Sequence, residues 1–362
     1  MSALKEKLRQ QIAAEGPISV ATYMARCLGD PEHGYYTTRE PFGRSGDFIT
    51  APEVSQMFGE LIGAVCLKAY ETLGALSDFQ LVELGPGRGT LMADFLRVAS
   101  HRPEFLEAAT LNLVEMSPRL RRVQSQTLQN TQLQPNFRNT FQDVPDGPVI
   151  VIANEFFDAL PIHQFVKTPN GWNERMVGLD ASGQLEFGLG PAQLPADAIP
   201  AAAKKAPVGS ILETQPAANG AAEEIATRIA EHGGFALFID YGYAQTAPGD
   251  TLQALYRHAY DNVLANPGEA DLTAHVNFEA LATAARRAGA VPLPLITQGT
   301  FLLQSGLLER AGALGAGKTP ANQDAIRDAV ERLAAPDQMG DLFKVLAIAP
   351  EGHVFAPFEP PR

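Results

Sequence analysis

The residues best suited to chemistry form a glycine-rich loop between an apolar run and a helical pattern. In the stretch FQLVELGPGRGT, Gly85, Gly87 and Gly89 occupy alternate positions. Pro86 and Arg88 stand between them. Glycines at such a junction let the backbone approach a ligand closely, and the N-terminus of the following helix contributes partial positive charge. This pattern predicts a loop that binds a nucleotide.

The spacing of the glycines distinguishes two kinds of nucleotide. The dinucleotide pattern GxGxxG would need a third glycine at position 90, where the chain has Thr90. Glu83 precedes the loop, so the stretch has the form ExGxGxG. This form resembles the first motif of Rossmann-like methyltransferases that use S-adenosylmethionine. An acid at this place suits the ammonium group of S-adenosylmethionine, whereas it would repel a diphosphate.

Two further acids extend the predicted cofactor site. TLNLVEM ends on Glu115, at the end of the next predicted strand, where a carboxylate accepts hydrogen bonds from both hydroxyls of a ribose. Either cofactor contains that ribose, so Glu115 does not choose between them. Asp143, in FQDVP, lies between the third and fourth strands, where such folds often hold the adenine, and is the candidate for that contact. The alternative for the loop is a tight turn without a ligand.

The elements that must position these residues alternate from about residue 80 onward. The apolar runs QLVELG, TLNLVEM, PVIVIAN and FALFIDYG are separated by helical segments, and MGDLFKVLAIAP predicts a last strand. This alternation predicts an α/β fold with a mostly parallel, doubly wound sheet. The stretch NGWNERMVGLDASGQLEFGLG, with turns at Asn170-Gly171 and Ser182-Gly183, predicts an inserted antiparallel hairpin or meander.

The N-terminal part has a different pattern. Two short helices are predicted, broken at Gly16-Pro17, with Ser19 as the N-cap of the second. A loop at residues 31–53 precedes a helix from about Val54 to Leu73. The predicted organisation is an N-terminal helical region with a lid loop at 1–75 and a Rossmann-like domain at 76–350, with insertions at about 165–215 and 250–335.

Composition and charge exclude several classes of protein. The net charge of −13 over 362 residues argues against a nucleic-acid-binding surface, which needs a basic footprint. No apolar stretch approaches the roughly 18 residues that a membrane span needs, and the N-terminus lacks the apolar core of a secretory signal. Cys27 and Cys66 lie in apolar runs, as expected for buried thiols in a reducing cytosol. No residues have metal-ligand spacing, and GAGKT at 315–319 lacks P-loop spacing.

Longer stretches resemble one family, the MidA-type methyltransferases. The most specific are GDFITAPEVSQMFGE (Gly46 to Glu60) and NEFFDALPIHQF (Asn154 to Phe165), and the resemblance runs from about residue 17 to 348. Further matching stretches are VELGPGRGTLMADFLR, VEMSPRLRRVQ, FIDYGY, DLTAHVNF, TQGTFLLQSG and MGDLFKVL. Mitochondrial members of this family are protein arginine methyltransferases that act during assembly of respiratory complex I. The resemblance implies a class I methyltransferase fold, bound S-adenosylmethionine and methyl transfer to a guanidinium nitrogen of a protein.

The resemblance also implies a partner and a location. In the mitochondrial members the substrate is the 49-kDa-type subunit of complex I, so an equivalent subunit is expected here. Because no transit peptide is evident, we expect a bacterial protein of the cytoplasm, whereas a eukaryotic origin would imply the mitochondrial matrix. No nucleic acid partner, stable membrane insertion or metal is expected, and a homodimer is left open.

Rival functions are also left open by the sequence. The chain is alternatively a non-catalytic assembly chaperone that keeps the methyltransferase fold, or a methyltransferase for another substrate. The sequence NEFFDALP is not the NPPY-like motif of enzymes that methylate DNA bases or glutamine, which argues against those substrates. A nicotinamide dehydrogenase is disfavoured by Thr90.

The strongest catalytic candidates lie in NEFFDALP, just past the predicted strand PVIVIA. Ligands of doubly wound folds bind at this carboxyl edge of the sheet. A carboxylate must orient the guanidinium group and stabilise charge as its nitrogen attacks. Glu155 is the first choice for that role, Asp158 is the second, and Asn154 stands beside them. Alternatively, Glu155 caps the helix after the strand and Asp158 is a solvated helix residue.

Other candidates come from the stretches before and after the sheet. The polar loop in GDFITAPEVSQMFGE is expected to fold over the cofactor, with packing alone as the alternative. Its predicted cofactor contacts are Thr50 and Pro52, and further candidates in it are Asp47, Glu53 and Gln56. On the substrate side the candidates are Asp240, Tyr241 and His275, with His258 as a further histidine.

We predict that S-adenosylmethionine or its demethylated product binds the protein in a calorimetric titration. Gly87→Val should abolish the binding because the added side chain fills the space of the ligand, and Glu115→Ala should abolish it because the ribose loses its acceptor. Binding of NAD instead would contradict the assignment of the loop.

Overall fold

The computed structural model describes residues 2–38 and 50–359 of the chain. Its helices are α1 (Ala3–Glu15), α2 (Val20–Gly29), α3 (Tyr35–Thr38), α4 (Ala51–Val54), α5 (Gln56–Thr72), α6 (Thr90–Ala99), α7 (Pro103–Ala108), α8 (Pro118–Thr127), α9 (Pro216–His232), α10 (Phe278–Arg287), α11 (Gln298–Gln304), α12 (Leu307–Gly315) and α13 (Pro320–Ala334). Its strands are β1 (Ile18–Ser19), β2 (Phe79–Leu84), β3 (Ala109–Val114), β4 (Asn136–Arg138), β5 (Val149–Asn154), β6 (His163–Thr168), β7 (Gly171–Leu179), β8 (Leu185–Gln193), β9 (Ile211–Thr214), β10 (Gly234–Tyr243), β11 (Gln253–Tyr256), β12 (Ala259–Asp261), β13 (Asp271–Thr273), β14 (Val276–Asn277), β15 (Val291–Pro292), β16 (Ile296–Thr297) and β17 (Phe343–Ala349).

The large sheet has the predicted mostly parallel arrangement. Its strands follow the order β4-β3-β2-β5-β10-β17-β15, and β16 also pairs with β17. The first five are parallel to their neighbours, whereas β17 runs antiparallel to β10 and to β15. The predicted α/β fold class is therefore confirmed, and the runs QLVELG, TLNLVEM, PVIVIAN and FALFIDYG are its central strands.

Burial explains why these runs become the centre of the sheet. All six residues of β2 and all six of β5 are buried. Strands of a parallel sheet covered on both faces read as nearly continuous apolar runs, because neither face meets water. Since parallel strands end at the same edge, the loops after β2, β3 and β5 lie side by side, with the glycine loop in the middle.

Two glycines bring α5 and α6 unusually close together. A Cβ on Gly59 would lie 2.8 Å from the Leu91 carbonyl oxygen and 2.7 Å from the Asp94 Cβ. A Cβ on Gly63 would lie 3.2 Å from the Cα of Phe95. The two glycines are one helical turn apart on α5, so they form one face that admits the backbone of the neighbouring helix.

The chain folds into two compact units. One contains the large sheet and comprises residues 49–157, 221–242 and 280–362; the other comprises residues 1–48, 158–220 and 243–279. This division does not follow the predicted boundary between residues 75 and 76. The N-terminal helices belong with the predicted insertion at 165–215, and only part of the predicted insertion at 250–335 does.

The second unit is built from antiparallel strands and the N-terminal helices. Strands β1, β7, β6 and β9 pair in that order with β8 beside β7, and β11 pairs with β12 and β13. Leu4 and Leu8 of α1 pack in one buried cluster with Val177 of β7 and Leu272 of β13. Ser19 caps α2 by accepting a hydrogen bond from the Thr22 amide, as predicted.

Two local predictions differ from the structure. The helix expected from Val54 is interrupted at Ser55, whose extended backbone (φ −160°, ψ 142°) separates α4 from α5 while its side chain accepts a hydrogen bond from the Met57 amide. Residues 155–160 form turns and bends, so the helix expected directly after PVIVIAN is absent there. Among the described residues, no helix combines the length and apolar character that crossing a membrane requires.

We predict that Gly59→Ala destabilises the protein by roughly 1–3 kcal/mol, because the new methyl group must push α6 away. Gly312→Ala is the matched control, since Gly312 lies inside α12 with no atom within 4 Å of its would-be Cβ. It should stabilise the protein by about 0.5 kcal/mol. Urea unfolding of both variants measures the effects, and equal stabilities would contradict the close packing of α5 and α6.

Candidate active site

The glycine loop after β2 has the backbone that its sequence requires. Gly85, Gly87 and Gly89 have φ angles of +60°, +53° and +80°, in the left-handed region that favours glycine. The Gly85 amide donates to the Val114 carbonyl at 3.1 Å. A Cβ on Gly85 would lie 3.1 Å from Cδ2 of Phe156, so the loop is also tight against its neighbour. Both observations make glycine necessary at this position.

Glu83 places a buried acidic side chain near the end of β2. The side chain is buried, and within the described part of the chain its Oε2 atom has no hydrogen-bond partner. Burial raises the pKa of Glu83 to about 8. A buried carboxylate oxygen without a partner is costly, and a cationic ligand group would offset that cost. The position therefore fits the ammonium end of S-adenosylmethionine.

Glu115 is held at the end of β3 by two donors. Its Oε1 atom accepts from the Ser117 amide at 2.7 Å, and its Oε2 atom accepts from Nε2 of Gln124 at 3.1 Å. Burial raises the pKa of Glu115, and these hydrogen bonds oppose that rise. The carboxylate is thus fixed in orientation and retains lone pairs for the hydroxyls of a ribose.

Gln124 is a site residue that the sequence did not reveal. It is fully buried on α8, and its Nε2 atom also donates to the Gly87 carbonyl at 2.8 Å. One amide therefore ties the glycine loop to Glu115. The only available signal was a glutamine on the otherwise polar helix PRLRRVQSQT, which does not distinguish it from its neighbours.

Asp143 makes local contacts in the structure. Its Oδ2 atom accepts from the Asn139 and Thr140 amides at 3.0 and 2.9 Å, and it closes a capping box with Thr140. The hydrogen bond from the Thr140 amide is the main reason that the pKa of Asp143 is lowered. The adenine contact of Asp143 stays a prediction. Met116, 75% exposed directly after Glu115, is an apolar side chain at the same edge.

Glu155 follows β5 in an uncommon backbone conformation. Its φ angle is +49°, which costs free energy for a residue with a side chain. Its Oε1 atom accepts from the Ala51 amide at 3.1 Å and from Nδ2 of Asn154 at 3.3 Å. Glu155 thus caps α4, which precedes the sheet, and not a helix after the strand. Asn154 is buried, and its Oδ1 atom has no hydrogen-bond partner among the described residues.

Asp240 accepts hydrogen bonds from the backbone of the segment that follows Glu155. It is fully buried within β10, three residues before the strand ends, and its Oδ2 atom accepts from the Phe156 and Phe157 amides at 3.2 and 3.0 Å. Its Oδ1 atom accepts from the Tyr241 amide at 2.9 Å. Tyr241 packs its ring against Phe343 with the centroids 5.4 Å apart. Asp240 therefore holds the segment that follows Glu155 in place, and substrate contacts of Asp240 and Tyr241 stay predictions.

The remaining candidate residues lie in the unit built from antiparallel strands, or outside the described residues. Asp158 is buried in a turn, which contradicts the alternative of a solvated helix residue, and its carbonyl accepts from the Ala274 amide at 3.0 Å. The His275 backbone is held by Thr251 Oγ1 and by Gln215. His258, with φ +63°, lies in the turn between β11 and β12. Asp47 lies outside the described residues. Catalytic or substrate roles for these four stay predictions.

Helix α4 lies beside the loops after β2 and β5. Thr50 is its N-cap residue, and Pro52 is buried in its first turn. Glu53 accepts a hydrogen bond from Oγ1 of Thr90 at 2.7 Å. Gln56, in contrast, donates to Glu60 within α5 at 2.9 Å. Direct cofactor contacts of Thr50 and Pro52 stay predictions.

The edge formed by β3, β2 and β5 fits one ligand that has both an ammonium group and a ribose. Glu83 suits an ammonium group, the glycine loop leaves room for the backbone to approach, and Glu115 suits ribose hydroxyls. The loop has Thr90 where the pattern for binding a pyrophosphate has its last glycine, and Glu83 would repel a pyrophosphate. S-adenosylmethionine has both groups. Among the described residues, no cluster of histidine, cysteine and acidic side chains could hold a metal ion.

Comparison with known proteins gives the class of the protein. Residues 61–296 match a family described as S-adenosyl-L-methionine-dependent methyltransferases. This match covers more than half of the chain, so the protein belongs to that family and its cofactor is S-adenosylmethionine. The predictions of the MidA-type resemblance, the methyltransferase fold and the cofactor are therefore confirmed.

Particular relatives cover nearly the whole chain. The mitochondrial protein arginine methyltransferase NDUFAF7 of Danio rerio is 38% identical over 371 residues, covering 96% of this chain and 86% of the relative. The protein of the same name from Homo sapiens is also 38% identical, over 95% of this chain and 82% of its own. A solved structure from Burkholderia thailandensis, bound to S-adenosyl-homocysteine, has a TM-score of 0.84 and 30% identity, and the alignment covers 96% of this chain and 92% of that one.

We predict that Glu83→Gln stabilises the ligand-free protein, and increasingly so as the pH rises. The folded-state pKa of Glu83 is raised from 4.5 to about 8, so the folded protein binds this proton more tightly than the unfolded chain does. The contribution of Glu83 to stability is therefore fully present below pH 4.5 and is lost as the pH rises towards 8. Glutamine does not titrate, so the gain should reach on the order of 3 kcal/mol at neutral pH, at about 1.4 kcal/mol per pKa unit.

Thermal unfolding of both proteins across this pH range measures the effect. The same variant should bind S-adenosyl-homocysteine more weakly, because a neutral amide does not balance an ammonium group. Parallel stability profiles for the variant and the wild type would contradict the raised pKa, and unchanged binding would contradict the ammonium contact.

Proposed function

We propose that the protein is a protein arginine methyltransferase that acts on a subunit of respiratory complex I during its assembly. The observation that carries this proposal is Glu155, a carboxylate fixed beside the cofactor loop by the Ala51 amide and by Asn154. A guanidinium group is planar, strongly hydrogen-bonding and permanently charged, so a carboxylate of fixed orientation is the group that positions it best.

The chemistry requires alignment more than proton transfer. S-adenosylmethionine supplies a methyl group on a sulfonium centre, and the enzyme aligns the attacking nitrogen with it and excludes water. Glu155 orients the guanidinium group and stabilises the charge that develops on it. Asp240 keeps the Glu155 loop in place through the amides of Phe156 and Phe157. Asp158 is the second candidate for a contact to the substrate.

The choice of a protein substrate is supported by the names of the curated relatives. Those proteins are named protein arginine methyltransferases, and the relatives from Danio rerio and Homo sapiens are aligned over most of their own length. The 49-kDa-type subunit of complex I is proposed from the resemblance to the MidA-type family. The curated relatives are named as mitochondrial, so the proposal of a bacterial protein in the cytoplasm rests on the sequence alone.

Mass spectrometry of respiratory-complex subunits tests this proposal. Cells that lack the gene should lose an arginine methyl mark, and expression of the wild-type protein should restore it. Glu155→Gln should lower methylation at least about 100-fold, because the group that stabilises the guanidinium in the transition state is gone. Glu107→Gln, an exposed acid at the end of α7, is the matched control and should restore the mark.

Two outcomes would contradict different parts of the proposal. If the arginine methylation of these subunits is the same with and without the gene, the proposed substrate is wrong. If Glu155→Gln restores the mark at the wild-type rate, Glu155 is not the guanidinium partner. Calorimetry with S-adenosyl-homocysteine shows that each variant still folds around its cofactor site.

A further inference from the structure

Helix α4 contacts both loops that the reaction would use. At one end of this single turn, the Glu53 Oε1 atom accepts from Oγ1 of Thr90 at 2.7 Å, and Oε2 lies 3.6 Å from Nη1 of Arg88. Arg88 is inside the glycine loop, and Thr90 begins α6 directly after it. Glu53 thus binds both flanks of Gly89, which has a left-handed backbone.

The other end of α4 holds the acid after β5. The Ala51 amide donates to Oε1 of Glu155 at 3.1 Å, and Glu155 also has a left-handed backbone. Glycine adopts this backbone readily, whereas at Glu155, which carries a side chain, it costs free energy and depends on surrounding contacts. The contacts on both loops come from residues only two positions apart in the chain.

The single turn between these contacts is well ordered. The Glu53 and Val54 amides donate to the Thr50 carbonyl at 2.9 and 3.2 Å. Ala51 and Pro52 are buried, and the proline ring fixes one backbone angle of the turn. The backbone between the Ala51 amide and Glu53 is therefore fixed by its own hydrogen bonds and by the proline ring. We call residues Thr50–Val54 the strap.

We infer that the strap couples the cofactor loop to the acid Glu155, with Glu53 and Thr90 as the positioning residues that set this coupling. The inference has two halves. The cofactor half, which concerns the glycine loop, requires only that the protein binds S-adenosylmethionine, whereas the half that concerns Glu155 rests on the proposed function. It also gives a role to Thr90, the residue that replaces the third glycine of a dinucleotide loop: its hydroxyl anchors the strap.

The coupling follows from the order of the strands. Strands β2 and β5 are hydrogen-bonded neighbours, with Leu84 opposite Ala153, so their loops emerge side by side. A short segment that contacts both can fix the distance between them. Both anchors of the strap end on a carboxylate, and a hydrogen bond to a charged acceptor is worth about twice a neutral one; the shorter of the two is the Glu53–Thr90 contact, at 2.7 Å. Loss of this contact frees the loop on one side and the Ala51 amide on the other.

Calorimetry with S-adenosyl-homocysteine tests the cofactor half. Thr90→Val and Glu53→Ala each remove the Glu53–Thr90 hydrogen bond, and each should raise the Kd about tenfold. The double variant should bind no more weakly than Glu53→Ala, because the loss of Glu53 already removes the hydrogen bond that Thr90→Val would remove. Thr90→Ser keeps the hydroxyl and should recover most of the affinity. Thr72→Val, the same exchange at an exposed site on α5, should bind like the wild type.

Turnover at saturating S-adenosylmethionine tests the connection to Glu155. Thr90→Val should lower kcat for methylation of the proposed protein substrate about tenfold, with its KM changed by less than about twofold. In a Glu155→Gln background the same Thr90→Val change should lower kcat by less than about twofold, because the strap then has no acid to position.

Different results would overturn the two halves separately. Wild-type affinity in Thr90→Val and Glu53→Ala, or equal weakness of Thr90→Ser and Thr90→Val, would refute the positioning role. The same fall in kcat in both backgrounds would refute the connection to Glu155. If the wild-type protein transfers no methyl group to arginine, the proposed function fails, while the calorimetric result still decides the cofactor half. Circular dichroism of Glu53→Ala and Thr90→Val separates loss of the contact from loss of the fold.

Discussion

The parallel pairing of β2 with β3 and β5 is the constraint on which the site depends. Leu84 lies opposite Val114 on one side and opposite Ala153 on the other, so three strands end at the same level. Each strand is followed by one part of the candidate site: the glycine loop, Glu115 or Glu155. A slip of one residue in either pairing would turn the end of a strand to the opposite face. The buried apolar runs prevent that slip, so the core fixes the geometry of the site.

The same edge contains the least favourable features of the fold. Glu83 is a buried acid with a carboxylate oxygen that no described residue satisfies, and Glu155 has a left-handed backbone. Both cost stability in the absence of a ligand, and both are located where the ligand would meet them. Asp240 and Gln124 offset part of this cost by hydrogen bonding to the backbone of the two loops. Binding of the cofactor is therefore expected to complete the fold as well as to begin the reaction.

Local patterns in the sequence predicted the sheet and the cofactor loop well. A buried apolar run, a glycine-rich loop and an acid at the end of a strand can each be recognised from a sequence stretch of about ten residues. The residues that join these parts cannot be recognised in this way, because their partners are far away in the sequence: Gln124 is 37 positions from Gly87, and Asp240 is 84 positions from Phe156. The break at Ser55 was also missed, since Val54 continues the helical spacing of its neighbours. The helical spacing predicted α5 itself, whereas its first residue is set by the hydrogen bond that the Ser55 side chain accepts from the Met57 amide.

A crystal structure of the protein with S-adenosyl-homocysteine tests the central claim most directly, namely that this edge of the sheet binds the cofactor. The account predicts the ribose hydroxyls within hydrogen-bonding distance of Glu115 and the amino-acid end beside Glu83 and the glycine loop. Glu155 should face the sulfur atom from which the methyl group departs. A ligand bound away from the ends of β2 and β3, or a ribose that makes no contact with Glu115, would contradict it.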